Sequence, residues 1–107
     1  MKSINILLTQ SLVQDDITLK DKNVIILDVL RATSTIAVAL TNGAKEIIPT
    51  ENIATAVRVA KGSKNSILCG ERNGKIVDGF NLGNSPLEYS PEVIKDKSMI
   101  FSTTNGT

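Results

Sequence analysis

Residues Asn23 to Leu30 (NVIILDVL) form a near-continuous apolar run broken by one charge, Asp28. Such a run suits a parallel strand covered on both faces, and parallel strands belong to sheets with helices on either side. Ser3 to Leu8 (SINILL) is β-branched and apolar and predicts another strand. Ser11 to Asp21 is polar and reads as loop. Thr33 to Leu40 (TSTIAVAL) predicts a helix. Thr33 to Thr35 can cap its start, Gly43 can close it, and its alanines favour helix. Asn42-Gly43 between apolar runs is also a hairpin signal, but the helix is the preferred reading. Lys45 to Pro49 predicts a strand. Thr50 then caps a second helix through Lys61, ended by Gly62, with Ile53, Val57 and Ala60 on one face. Ser66 to Cys69 and Ser98 to Phe101 predict two further strands, the second after a short helix. The alternation gives an α/β fold: a mostly parallel central sheet with helices packed on its faces in α/β/α layers.

Between these elements lies a glycine-rich segment, Gly70 to Pro86 (GERNGKIVDGFNLGNSP), and loops of this length inside a compact domain are usually functional. It runs into Ser85-Pro86-Leu87-Glu88, a capping box with Pro at the first helical position, so a helix should start there. The last residues, Ser102 to Thr107 (STTNGT), look like a strand-to-loop corner with a helix still to come. Residues 1–107 therefore read as the N-terminal α/β portion of a longer chain.

Composition removes several classes of function. Twelve Lys+Arg against eleven Asp+Glu leave a net charge of +1, so no basic field exists to displace counterions from nucleic acid. With no histidine, Ser-His-Asp and Cys-His catalysis and the usual zinc sites are excluded within these 107 residues. The single cysteine, Cys69, excludes an internal disulfide. The longest apolar stretch, Val24 to Leu30, falls far short of the roughly 20 residues that span a bilayer. The N-terminus lacks the pattern of a signal peptide, and a cytoplasmic location is expected.

In open α/β sheets, sites lie beyond the carboxyl ends of the strands. Three such ends are unusually polar. At the first, Asp28-Val29-Leu30-Arg31-Ala32-Thr33-Ser34-Thr35, an acid, an arginine and three hydroxyls meet the start of a helix, where free N–H groups favour an anion. The plainer alternative is a capped helix with Asp28 paired to Arg31. At the second, Gly70-Glu71-Arg72-Asn73-Gly74, an acid and an arginine again stand together, and the plainer alternative is a solvated turn. Only three arginines exist, and two of them hold such positions. At the third, Thr103-Thr104-Asn105-Gly106-Thr107, small hydroxyls, an amide and a glycine allow close backbone approach to an anion. Asp78 and Asn84 could add ligands. The inventory is carboxylates, arginines, hydroxyls and glycines; hard oxygen ligands suit Mg²⁺, and arginines with helix N-termini suit an anionic substrate.

These segments, together with Gly79-Phe80-Asn81-Leu82-Gly83-Asn84-Ser85-Pro86-Leu87-Glu88, resemble the 2-phosphosulfolactate phosphatase family, the Mg²⁺-dependent acid phosphatases of coenzyme M biosynthesis. The motifs occur in the family's order and cover the N-terminal part of its length. The resemblance implies a hydrolase that converts 2-phospho-3-sulfolactate, or a related small anionic phosphorylated 2-hydroxy acid, to the free acid and phosphate. It implies Asp28, Arg31 and Glu71 as catalytic residues, with Asp28, Glu71 and Asp78 as Mg²⁺ ligands. Arg31, Thr33, Ser34, Arg72, Asn84, Ser85, Thr104 and Asn105 would bind substrate. The competing reading is a non-catalytic module that binds a phosphorylated metabolite. No nucleic-acid or membrane partner is expected, and homo-oligomerisation is left open.

Overall fold

A computed structural model of the chain describes residues 2–13 and 19–104. Four strands, β1 (Glu46–Pro49), β2 (Ser66–Arg72), β3 (Lys75–Ile76) and β4 (Ser98–Ser102), form one sheet in the order β1-β4-β2-β3. β1, β4 and β2 are parallel, in register at Glu46–Ser98 and Ser66–Ser98; β3 turns back antiparallel on the end of β2. The expected fold class holds.

Alternation along the strands sorts the core into two layers. Ile67, Cys69, Met99 and Phe101 face helix α1 (Ala32–Thr41), through Ala32 and Ala39, and the short helix α3 (Pro91–Ile94), through Ile94; Tyr89 joins them. Ile48, Leu68 and Ile100 face helix α2 (Ile53–Lys61) through Ala56 and its neighbours. β4 lies at the centre, and all five of its residues are buried.

The helix over Thr33 to Leu40 forms, and its end follows the rule for a glycine stop. Gly43 takes φ +99°, its N–H bonds the Leu40 carbonyl at 3.1 Å, and the Ala44 N–H bonds the Ala39 carbonyl at 3.0 Å. The start differs from expectation. Arg31 holds the N-cap place without a side-chain bond, because the Ser34 and Thr35 hydroxyls point to other partners. The second helix is capped by Asn52, whose side chain accepts the Thr55 N–H at 2.8 Å, and not by Thr50. The Ser85–Glu88 capping box is present, but it closes a single 3₁₀ turn, Pro86–Glu88. β2 runs on to Arg72, so Glu71 and Arg72 lie within a strand and not after it, and a hairpin to β3 follows.

The expected strands Ser3–Leu8 and Asn23–Leu30 do not form. Both segments run outside the sheet, with Ile4 92%, Ile25 84% and Leu27 84% exposed. An apolar run becomes a strand only where an edge accepts it, and β4 occupies the place between β1 and β2. Between them, at the start of the polar stretch, Gln10–Leu12 form a 3₁₀ turn.

Candidate functional site

A cleft of about 440 Å³ opens at the carboxyl ends of the parallel strands. One wall is the start of α1, through Ala32 and Ile36. The others come from Pro49, Thr50 and Glu51 after β1, and from Phe101, Thr103 and Thr104 at the end of β4. The parallel strands all point this way, and α1 begins here, so the positive end of its dipole lies at the cleft. The volume suits a small metabolite.

The first polar end is only partly assembled. Asp28 is half-buried and Arg31 exposed, and neither side chain makes a hydrogen bond or ion pair with a described residue; the Arg31 carbonyl accepts the Thr35 N–H at 3.0 Å. The pairing of Asp28 with Arg31 is therefore absent among the described residues. Thr33 is exposed. Ser34 donates its hydroxyl to the Val29 carbonyl at 2.5 Å. Thr35, fully buried, donates to the Asn84 carbonyl at 2.8 Å and so ties α1 to the glycine-rich segment.

The second and third ends are brought together. Glu71, 7% exposed, accepts the Thr104 N–H at 2.7 Å on Oε1. On Oε2 it accepts the Gly74 N–H at 2.8 Å and the Thr104 hydroxyl at 3.1 Å. Arg72 donates from Nη2 to the Ser102 hydroxyl and from Nη1 to the Glu71 carbonyl, both at 2.8 Å. Burial pushes the Glu71 carboxyl up. The N–H groups of Gly74 and Thr104, the Thr104 hydroxyl and the Arg72 guanidinium outweigh that effect, and the group titrates below its ordinary value.

Glu88 organises the neighbouring loop, its carboxylate accepting the Gly83 N–H at 3.0 Å and the Ser85 N–H at 3.1 Å. Ser85 is spent as a cap for the Leu87 N–H. Asn84 is buried with no partner for its Oδ1, and the Thr103 Oγ1 in the cleft is likewise buried and unpartnered. A buried polar atom without a partner costs about 1–3 kcal/mol, so two at this end of the sheet mark where a polar ligand would be repaid. Asp78 is exposed and bonds to no described residue, and Asn105 lies outside the described residues.

Asp28, Glu71 and Asp78 do not gather: among the described residues no three His, Cys, Asp or Glu side chains come together to hold a metal ion. The donor set as folded does not fit a Mg²⁺ cradle. Two polar cleft residues escaped the sequence reading, Thr50 and Glu51; Thr103 belonged to the third polar end but was given no role of its own. Thr50 and Glu51 follow β1 directly, and the rule that sites lie past strand ends would have found them had it been applied to this fourth end.

Parallel strands, a helix beginning at their carboxyl ends and a cleft between them define an α/β protein of the kind whose ligands bind at a strand-end crevice. The sequence profile of the 2-phosphosulpholactate phosphatase family matches residues 7–107, and the chain belongs to that family. It is 52% identical over 95 residues to a protein of Caldanaerobacter subterraneus subsp. tengcongensis named probable 2-phosphosulfolactate phosphatase, a match covering 87% of this chain and 39% of that protein. Proteins of the same name from Clostridium novyi and Thermotoga maritima are 42% and 50% identical over 105 and 86 residues. Those matches cover 97% and 80% of this chain, and 44% and 37% of the relatives. The chain thus spans about two-fifths of the length of these relatives.

Proposed function

We propose that the protein is a phosphatase that hydrolyses 2-phospho-3-sulfolactate, or a related phosphorylated 2-hydroxy acid, to the free acid and inorganic phosphate. The observation that carries this reading is the cleft itself. In a chain of this family, it joins the start of α1 to an unpartnered buried hydroxyl on Thr103. The substrate would carry phosphate, carboxylate and sulfonate, and positive dipole ends and guanidinium groups suit all three. Arg72 uses two N–H groups on Ser102 and Glu71 and keeps others for an anion. Arg31, whose side chain bonds to no described residue, is available for a second. Thr33 and Asn84, with Asn105, would supply neutral contacts, and Ser34, Ser85 and Thr104 would do so by exchanging the bonds they make to Val29, Leu87 and Glu71.

Mg²⁺ is proposed as the activating cation of the whole protein, where it would neutralise charge on the phosphoryl group. The carboxylates described here do not form its cradle, so no step is routed through it. No helix among the described residues is long and apolar enough to cross a membrane. A cytoplasmic place in coenzyme M biosynthesis belongs to the same proposal.

The test is phosphate release from 2-phosphosulfolactate by the full-length protein, with Mg²⁺ and with EDTA. Release that needs the metal and is lost in Asp28→Ala supports the reading. A folded protein that binds the compound without releasing phosphate would instead be the metabolite-binding module.

A further inference from the structure

Glu71 closes a circuit between two segments distant in sequence. Its Oε2 holds the Gly74 N–H in the turn of the β2–β3 hairpin, and both oxygens hold Thr104 after β4. Thr104 completes the circuit, accepting the Asn73 N–H on Oγ1 at 3.1 Å. The Arg72–Ser102 bond runs beside it as a second strap. Thr103, whose buried hydroxyl has no partner, is flanked by these two anchored residues, Ser102 and Thr104, and lines the cleft. A carboxylate offers about four lone-pair sites, and three are taken.

We propose that Glu71 is a positioning residue: its carboxylate latches the β2–β3 hairpin to Thr104 and thereby sets the Thr103–Thr104 wall of the cleft. The proposal rests on the cleft being the phosphate-ester site. An amide cannot replace the carboxylate here. Glutamine keeps one acceptor oxygen but presents two N–H donors to groups that are themselves donors, so at least one contact becomes repulsive. Aspartate carries a similar charge but is one methylene shorter, and cannot span to both Gly74 and Thr104 at hydrogen-bond distance.

The experiment uses the full-length protein with Glu71→Gln, Thr104→Val and the double variant. Two readouts are taken: amide hydrogen exchange by NMR, and steady-state kinetics on 2-phosphosulfolactate across a Mg²⁺ titration. The latch requires that Glu71→Gln speed exchange at Gly74 and Thr104 together. It requires KM to rise about tenfold with kcat changed much less, and Mg²⁺ half-saturation to stay constant. The double variant should be no worse than Glu71→Gln alone, since both changes break one circuit. Thr104→Val is the milder probe, because it keeps the backbone bond to Glu71 and should fold if Glu71→Gln does not. Unchanged exchange at Gly74 and Thr104, or independent additive losses, overturns the latch. A shift in Mg²⁺ half-saturation with exchange unchanged overturns it in favour of metal ligation. If the wild-type protein releases no phosphate, the reading of the cleft fails, and the exchange measurement still decides whether Glu71 couples the two segments.

Discussion

Gly70 is the position where a single methyl group should do most damage. It pairs with Ser102 across β2 and β4 and holds φ at +139°, a backbone conformation that side chains rarely adopt. A Cβ there would lie 1.8 Å from the Ser102 carbonyl oxygen, 2.7 Å from its carbonyl carbon and 3.0 Å from its nitrogen. The neighbour is backbone in the central strand, so no rotamer change relieves the clash. The strands must part by more than 1 Å, in a core where gaps of 0.5–1 Å already forfeit a quarter to a half of a contact. Backbone strain of about 1–3 kcal/mol and overpacking of about 1–3 kcal/mol add to roughly 4 kcal/mol. That is a large share of the roughly 5–15 kcal/mol that stabilises a typical domain.

The assay is equilibrium urea unfolding of Gly70→Ala beside the wild type. With a slope near 2 kcal/mol/M, the midpoint should fall by about 2 M. Gly74→Ala is the control that separates the two causes. Gly74 also has a positive φ, +78°, but nothing lies within 4 Å of where its Cβ would go. It should cost only the dihedral strain, about 1 kcal/mol. Equal losses at the two sites, or less than about 1 kcal/mol at Gly70, would refute the close-approach argument.

Two further outcomes rest on titration. Cys69 is fully buried and its thiol is pushed up by that burial to about 12, so it should resist iodoacetamide at pH 8 until urea unfolds the protein; fast labelling of the native state would contradict this. Glu71 titrates below its ordinary value of 4.5, so its contribution is fully present above that pH and is lost as pH falls through the lower folded value. The stability gap between wild type and Glu71→Gln, followed by urea midpoints, should therefore be flat at neutral pH and shrink below about pH 4.5; a gap constant into acid would mean the carboxylate gains nothing from its donors.

What could be read from the sequence was local, and what could not was a matter of pairing. Helix α1, its glycine stop and the Ser85–Glu88 box each depend on residues within five positions of one another, and each formed. The meeting of Glu71 with Thr104, 33 residues apart, depends on which strand lies beside β2, and periodicity does not encode that. Asn23–Leu30 shows the same limit. The connection from β1 to β2 crosses one face through α2, and the return to β4 crosses the other face through α3. Opposite faces and opposite directions are what two connections of one hand produce, and the hand is right in about 98% of such units. α1 shares the α3 face, so a parallel strand feeding it would have to lie on the β2 side of β1 to keep that hand. There β4 and β2 already pair along their length, and the far edge of β2 carries Leu82 and β3. The outer edge of β1 is open among the described residues, but reaching it through α1 would need the opposite hand. The apolar run thus has the composition of a buried strand and no edge in this sheet that its own connection allows, so no strand holds Asp28 and Arg31 in the way that β2 holds Glu71 and Arg72.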